Sequence, residues 1–131
     1  MLGGIGTVIK VAIAGIGNCA SALVQGIEFY KSVEKDEDIA GVMHAYFGKY
    51  HIRDIKFVAA FDVNKEKIGK DLSDAIWAQP NNCAKFSDVP KSNCVVSAAP
   101  ISDGVAPHML EAFQVDKSIK PVDVTKVLED S

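Results

Sequence analysis

The feature that most constrains this chain is Gly15-Ile-Gly17-Asn-Cys-Ala20, a GxGxxA string standing between an apolar run and an amphipathic one. The preceding run, Val8-Ile-Lys-Val-Ala-Ile-Ala14, is β-branched and nearly all apolar, as a strand covered on both faces should be. The following run places Ala20, Leu23, Val24, Ile27 and Tyr30 or Lys31 at helical spacing, so one stripe is expected to pack on a sheet, with Asn18 as a good candidate N-cap. In that strand–turn–helix setting each small residue has a physical task. Gly15 permits the tight turn, Gly17 lets a pyrophosphate approach the backbone, and Ala20 lets helix and sheet pack closely. The unpaired N–H groups and the helix dipole then favour anionic phosphates. The competing reading is a glycine turn without a ligand. The earlier run Gly3-Gly4-Ile5-Gly6 follows no strand and reads as a frayed terminus.

The rest of the chain extends the alternation. Lys56-Phe-Val-Ala-Ala-Phe-Asp62 is a second strand. Asn64-Lys-Glu opens a second helix with Ile68, Leu72, Ala75 and Ile76 as its stripe, stopped at Pro80-Asn-Asn82. Cys94-Val-Val-Ser-Ala-Ala99 is a third buried strand. Pro107 suits the first turn of a helix through Phe113, and Asp123 caps a short final helix. Residues 35–54, with glycines, aromatics and no clean period, read as an irregular insertion. The pattern predicts an α/β fold, a Rossmann-like doubly wound parallel sheet. Such sheets usually have five or six strands. Only three are evident, so the sheet is expected to be incomplete, the last helix feeding a strand that the 131 residues do not contain and leaving an open sheet edge.

Asp62 ends the second strand, where an acid can accept hydrogen bonds from an adenosine ribose and repel a 2′-phosphate; this favours NAD over NADP. It stands 45 positions beyond Gly17, against a common spacing of about 20. The insertion accounts for the excess without moving the acid from the strand end. A capping or solvated turn Asp is the alternative. Ser97-Ala98-Ala99 would let a dinucleotide lie across the strand tips, or simply pack closely. Asp103-Gly104 reads as a turn that could also reach the nicotinamide half of the site.

Composition excludes several other classes. A net charge of −3 without a basic cluster argues against a general grip on nucleic acid. The N-terminal apolar run is too short to span a bilayer, is broken by Lys10 and lacks a basic leader, so neither a membrane partner nor a targeting signal is expected. Three cysteines, Cys19, Cys83 and Cys94, show no CxxC spacing and read as reduced thiols of a cytoplasmic protein. His44 and His51 are seven apart with no third ligand nearby, so no metal is expected.

Val11-Ala-Ile-Ala-Gly-Ile-Gly-Asn-Cys-Ala-Ser21, Gly41-Val-Met-His-Ala-Tyr-Phe-Gly48 and Asp54-Ile-Lys-Phe-Val-Ala-Ala-Phe-Asp-Val63 closely resemble the archaeal and bacterial type of myo-inositol-1-phosphate synthase (inositol-3-phosphate synthase), as do Asn81-Asn82 and Ser102-Asp-Gly104. The resemblance runs from about Ile9 to the end of the chain. It implies an NAD-binding domain over residues 1–131, the N-terminal portion of an isomerase that converts glucose 6-phosphate to inositol phosphate by internal oxidation, aldol cyclisation and reduction, commonly as a homotetramer. It implies that Gly15, Gly17, Asn18, Cys19 and Ala20 hold the pyrophosphate region, Asp62 the adenosine ribose, and Asp103 and Gly104 a loop near the cofactor; Ile16, Asn64, Ser97 and Ala98 are expected beside them as further cofactor-binding residues. The family's catalytic region has no counterpart here, so no catalytic residue is assigned. A split or non-catalytic nucleotide-binding module that associates with a missing catalytic segment, and another NAD-dependent dehydrogenase, are the competing readings.

Overall fold

The computed structural model describes residues 7–34 and 39–131; the Gly3–Gly6 run lies outside them. Three strands form one all-parallel sheet in the order β1 (Ile9–Ala14), β4 (Ile55–Asp62), β5 (Val96–Ala98). This is the order of one half of a doubly wound sheet, and the α/β class expected from the alternation is the one observed. β1 pairs with β4 from Ile9 opposite Ile55 to Ala14 opposite Phe61, with a register shift after Val11. The shift skips Val58, a bulge that slides β4 by one residue. Asp62 is thereby level with Gly15, and Gly15 N–H closes the ladder on the Phe61 carbonyl at 2.8 Å.

β1 lies at one edge of the sheet, and along it half-buried Ile9, Val11 and Ile13 alternate with exposed Lys10, Ala12 and Ala14. The expectation of two covered faces therefore fails for β1, whereas the last four residues of β4 are all buried. Helix α1 (Asn18–Tyr30) packs on the sheet through Ala20 and Val24, which join Ile16, Phe57, Ala60, Leu72, Ala75, Ile76, Cys94 and Val96 in one core. Leu23, expected in the stripe, is 50% exposed; buried Ser21 and Gln25 stand beside Ala20 and Val24 instead. Gln25 is retained inside because its amide is spent. Its Oε1 accepts from the N–H groups of Phe86 and Ser87, and its Nε2 donates to the Ala84 carbonyl. It fastens the otherwise irregular 83–87 stretch to α1.

The second expected helix is not continuous. Residues 64–70 form successive turns, and α2 is only Leu72–Ala75. Gly69 adopts φ +83, and its N–H leaves the helical pattern to donate to Val96. Asp71 then starts a new turn by accepting from Ser73 N–H. The stripe of Ile68, Leu72, Ala75 and Ile76 had suggested a single helix, but a left-handed residue ends one. The helix expected after Pro107 is likewise a single 3-10 turn, Pro107–Met109. The final helix α3 spans Val124–Glu129, with Asp123 accepting from Lys126 N–H as its cap.

Within the 35–54 insertion, the described residues 39–54 carry more order than their composition suggests. β2 (Tyr46–Phe47) and β3 (Tyr50–His51) pair antiparallel across a turn at Gly48, whose φ is +59. His51 is buried. Its Nδ1 accepts from Arg53 N–H at 3.0 Å, so its Nε2 carries the proton and donates to the Val33 carbonyl. Arg53 grips Glu34 with both terminal nitrogens and also donates to the Tyr46 hydroxyl. The pair holds the Glu34 carboxyl down to about 2, the Arg53 hydrogen bond being the largest cause and the Tyr46 hydroxyl the next. These contacts tie the hairpin to the end of α1.

Candidate functional site

The site is the loop between β1 and α1, and its centre is one residue turned inward. Ile16 has a fully buried side chain, worth on the order of 2 kcal/mol of apolar transfer. Both its backbone groups are also bound from the interior. Its N–H donates to Asp62 Oδ2 at 2.7 Å. Its carbonyl accepts from Lys67 Nζ at 2.6 Å and from Asn81 Nδ2 at 2.9 Å. Gly15, at φ +83, makes the turn that allows this.

The outer side of the loop is open. A Cβ built on Gly15 or Gly17 would meet nothing within 4 Å, and Gly15, Asn18 and Cys19 are exposed. Gly17 is the N-cap of α1 and has no side chain to offer the first turn. The N–H groups of Asn18, Cys19 and Ala20 consequently lack the intrahelical partners that later residues have. Asn18, expected as the cap, does something else. Its Oδ1 accepts from the N–H groups of Asn82 and Cys83, and its Nδ2 donates to Asn82 Oδ1 at 2.7 Å. It therefore braces the 81–83 segment against the start of α1 and leaves the helix amides free.

Asp62 sits against the loop, as its place in the sequence implied. Its carboxylate, however, is already well used. Beyond Ile16 it accepts from Val63 and Asn64 N–H at 2.8 Å each, and only 5% of the residue is exposed. Three of roughly four lone-pair positions are taken. The acid's first role here is to shape two backbone turns, the capping alternative weighed above. Asn64, 1% exposed, passes the order on: its Oδ1 accepts from Glu66 N–H and its Nδ2 donates to the Gln79 carbonyl.

Ser97 and Ala98 arrive at the same sheet end, Ala98 paired with Asp62 and Ala99 N–H donating to the Asp62 carbonyl. The structure thus gathers Gly15–Ala20, Asp62, Asn64, Ser97 and Ala98. Asp103 and Gly104 are both exposed, and Gly104, at φ +77, lines a cleft of about 560 Å³ with Lys65, Ile101, Phe113 and Lys117.

Sequence reasoning missed Lys67. It is 1% exposed, donates to Ile16 and to Asn81 Oδ1 at 2.8 Å, and burial pushes its ammonium down while the Asp62 carboxylate opposes the shift. The only available signal was a lysine amid the apolar stripe of the 64–76 segment. Chemically, the arrangement can receive an anion on backbone amides beside an immobile acid; it presents no nucleophile–base pair. Among the described residues no group of three His, Cys, Asp or Glu side chains could hold a metal, and no helix is long and apolar enough to cross a membrane.

No family model matches the chain. It is 46% identical over 123 residues to the inositol-3-phosphate synthase of Mycolicibacterium smegmatis, covering 94% of this chain and 34% of that protein. It is equally 46% identical over 123 residues to the inositol-3-phosphate synthase of Corynebacterium glutamicum, with the same shares. Among solved structures, the crystal structure of Ari2 is similar with a TM-score of 0.64 at 35% identity, over 71% of this chain and 29% of that one. The chain spans about a third of the length of the curated relatives it matches.

Proposed function

This chain is a homologue of the inositol-3-phosphate synthases over 94% of its length, and on that premise we propose that it holds the NAD of such an enzyme in the loop between β1 and α1. The observation that carries the reading is the geometry at Ile16 and Gly17. Ile16 is bound inward by Asp62, Lys67 and Asn81, while nothing lies within 4 Å of a side-chain position on Gly17 and the next residues, Asn18 and Cys19, are exposed.

The residues present fit the cofactor. An anionic pyrophosphate needs close approach to a backbone without side chains and several aligned N–H donors; Gly15 and Gly17 supply the first, and the unpaired amides of Asn18, Cys19 and Ala20 the second. Asp62 supplies a fixed negative charge at the adjacent strand end and one remaining acceptor position, which favours an unphosphorylated ribose. Ser97 and Ala98 offer small side chains beside it. Asp103 and Gly104 are assigned to the cofactor only through the family pattern.

In this reading the whole protein is an isomerase of inositol biosynthesis, a cytoplasmic homotetramer acting on glucose 6-phosphate. Bound NAD supplies an internal hydride acceptor and donor, so that oxidation and reduction cancel over one turnover. The part played by this chain's own residues is to bind, orient and select that cofactor. Calorimetric titration of the chain with NAD, NADP and ADP tests the proposal: saturable NAD and ADP binding with much weaker NADP binding is expected, and no binding of NAD or ADP overturns it.

A further inference from the structure

We infer that Lys67, seconded by Asn81, is a positioning residue that turns the Gly17 amide toward the ligand. The inference rests on the dinucleotide reading above and adds to it a residue outside the glycine motif. The Ile16–Gly17 peptide is planar and trans, so the Ile16 carbonyl and the Gly17 N–H point in opposite directions. Lys67 Nζ and Asn81 Nδ2 occupy the carbonyl at 2.6 and 2.9 Å from the interior side. Two donors use both lone pairs of that oxygen. The Gly17 N–H is thereby fixed on the side opposite those two donors, in a loop whose Gly15, Asn18 and Cys19 are exposed. Were the peptide to rotate, a carbonyl oxygen would face the anion in place of a donor. Lys67 and Asn81 oppose that rotation.

The surrounding bonds are consistent with a built device. Asn81 Oδ1 accepts from Lys67, and Asn81 Nδ2 also donates to the Ile76 carbonyl at 3.0 Å, anchoring the pair to the residue that ends α2. Lys67 begins from the turn that Asp62 shapes, its own N–H donating to the Asn64 carbonyl at 3.0 Å. One short segment therefore supplies the acceptor for Ile16 N–H and a donor for Ile16 C=O. An ammonium with almost no exposure is costly to bury unless its hydrogen bonds are met. An apolar side chain would fill the same space without that cost, but it could not hold the carbonyl. The cation also places positive charge behind a loop that is to receive phosphates.

The test compares Lys67→Met and Asn81→Ala with the unaltered chain, titrated with NAD, ADP and adenosine, while the Gly17 amide is followed by ¹H–¹⁵N spectroscopy. Lys67→Met should weaken NAD and ADP by about tenfold or more, the scale of one hydrogen bond to a charged group. Adenosine, which has no pyrophosphate, should change less than about twofold, and the ADP-induced shift of the Gly17 amide should disappear. Equal weakening of adenosine and ADP would mean a merely structural role and overturns the inference, as do unchanged NAD and ADP affinities. If Lys67→Met does not fold, Asn81→Ala decides by the same pattern, with a loss of about three- to fivefold for NAD and ADP. An unaltered chain that binds neither NAD nor ADP sinks the dinucleotide reading itself; binding retained in both variants sinks only the role given to Lys67 and Asn81.

Discussion

Ile16 and Asp62, 46 residues apart in sequence, are joined by a 2.7 Å hydrogen bond from the backbone of one to the carboxylate of the other. The bond links the end of the second sheet strand to the middle of the glycine loop. It makes the acid a part of the loop's architecture as well as its neighbour.

Asp62→Asn should therefore do more than alter selectivity. One amide oxygen cannot serve Ile16, Val63 and Asn64 as two carboxylate oxygens do, so a buried N–H is left without an acceptor. The expected loss is about 1–3 kcal/mol of stability, read by urea denaturation. The NAD-over-NADP preference should narrow in the same variant, because the charge that repels a 2′-phosphate is gone. Retention of both stability and preference would contradict the assigned role.

The two loop glycines should separate fold from function. Gly15 has φ +83, so Gly15→Ala is strained wherever the methyl points, by about 1–2 kcal/mol. Gly17 lies at φ −90 with nothing near its Cβ position, so Gly17→Ala should cost less than about 1 kcal/mol. Its methyl would nevertheless stand where the pyrophosphate approaches, and NAD affinity should fall by about tenfold or more. Thermal melts and calorimetry on the two variants give the comparison. Equal NAD binding by Gly17→Ala and the unaltered chain would be the adverse result.

The hairpin insertion should loosen only in strong acid. The Glu34 carboxyl, gripped by Arg53 and Tyr46, is lowered from 4.5 to about 2. A carboxylate with a depressed folded value contributes fully above the ordinary value and loses its contribution as pH falls through the folded one. The Tyr46 and Arg53 side-chain resonances should thus hold steady as pH falls through 4.5 and move with a midpoint at about 2. A midpoint near 4.5 would mean the ion pair is absent in solution. Arg53→Met should raise that midpoint toward 4.5.

Gln25→Leu should release the 83–87 segment. Leucine fills the buried space but leaves the Phe86 and Ser87 N–H groups and the Ala84 carbonyl without the partner they now share. A loss of about 2 kcal/mol follows from unmet polar groups at partly buried positions. Amide hydrogen exchange should localise it, with Phe86 and Ser87 exchanging faster and the β4 amides changing only in step with global stability.

Much of the site was legible because its logic is local. Gly15, Gly17 and Ala20 announce a tight turn after a strand whatever follows, and Asp62 closes a run whose apolar character marks it as a strand. The misreadings share one cause. Asn18 has the right chemistry for a cap, but its hydrogen bonds go to Asn82 and Cys83, partners that periodicity cannot see. The stripe from Ile68 to Ile76 has helical spacing, yet Gly69 spends its N–H on Val96 in a neighbouring strand. The insertion looked irregular because its order comes from single polar links, such as His51 to Val33 and Arg53 to Glu34, which leave no period.

Residue spacing and side-chain chemistry alone dictated the sheet strands, the first helix, the glycine turn and the acid at the strand end, since each depends on neighbours a few positions away. Only the folded chain decided that Ile16 is grasped from within, that Lys67 and Asn81 do the grasping on its carbonyl, and that most of the acid's oxygens serve the backbone. Those choices follow from which buried polar groups meet which, and a buried donor or acceptor takes its partner by proximity in space, without regard to distance along the chain.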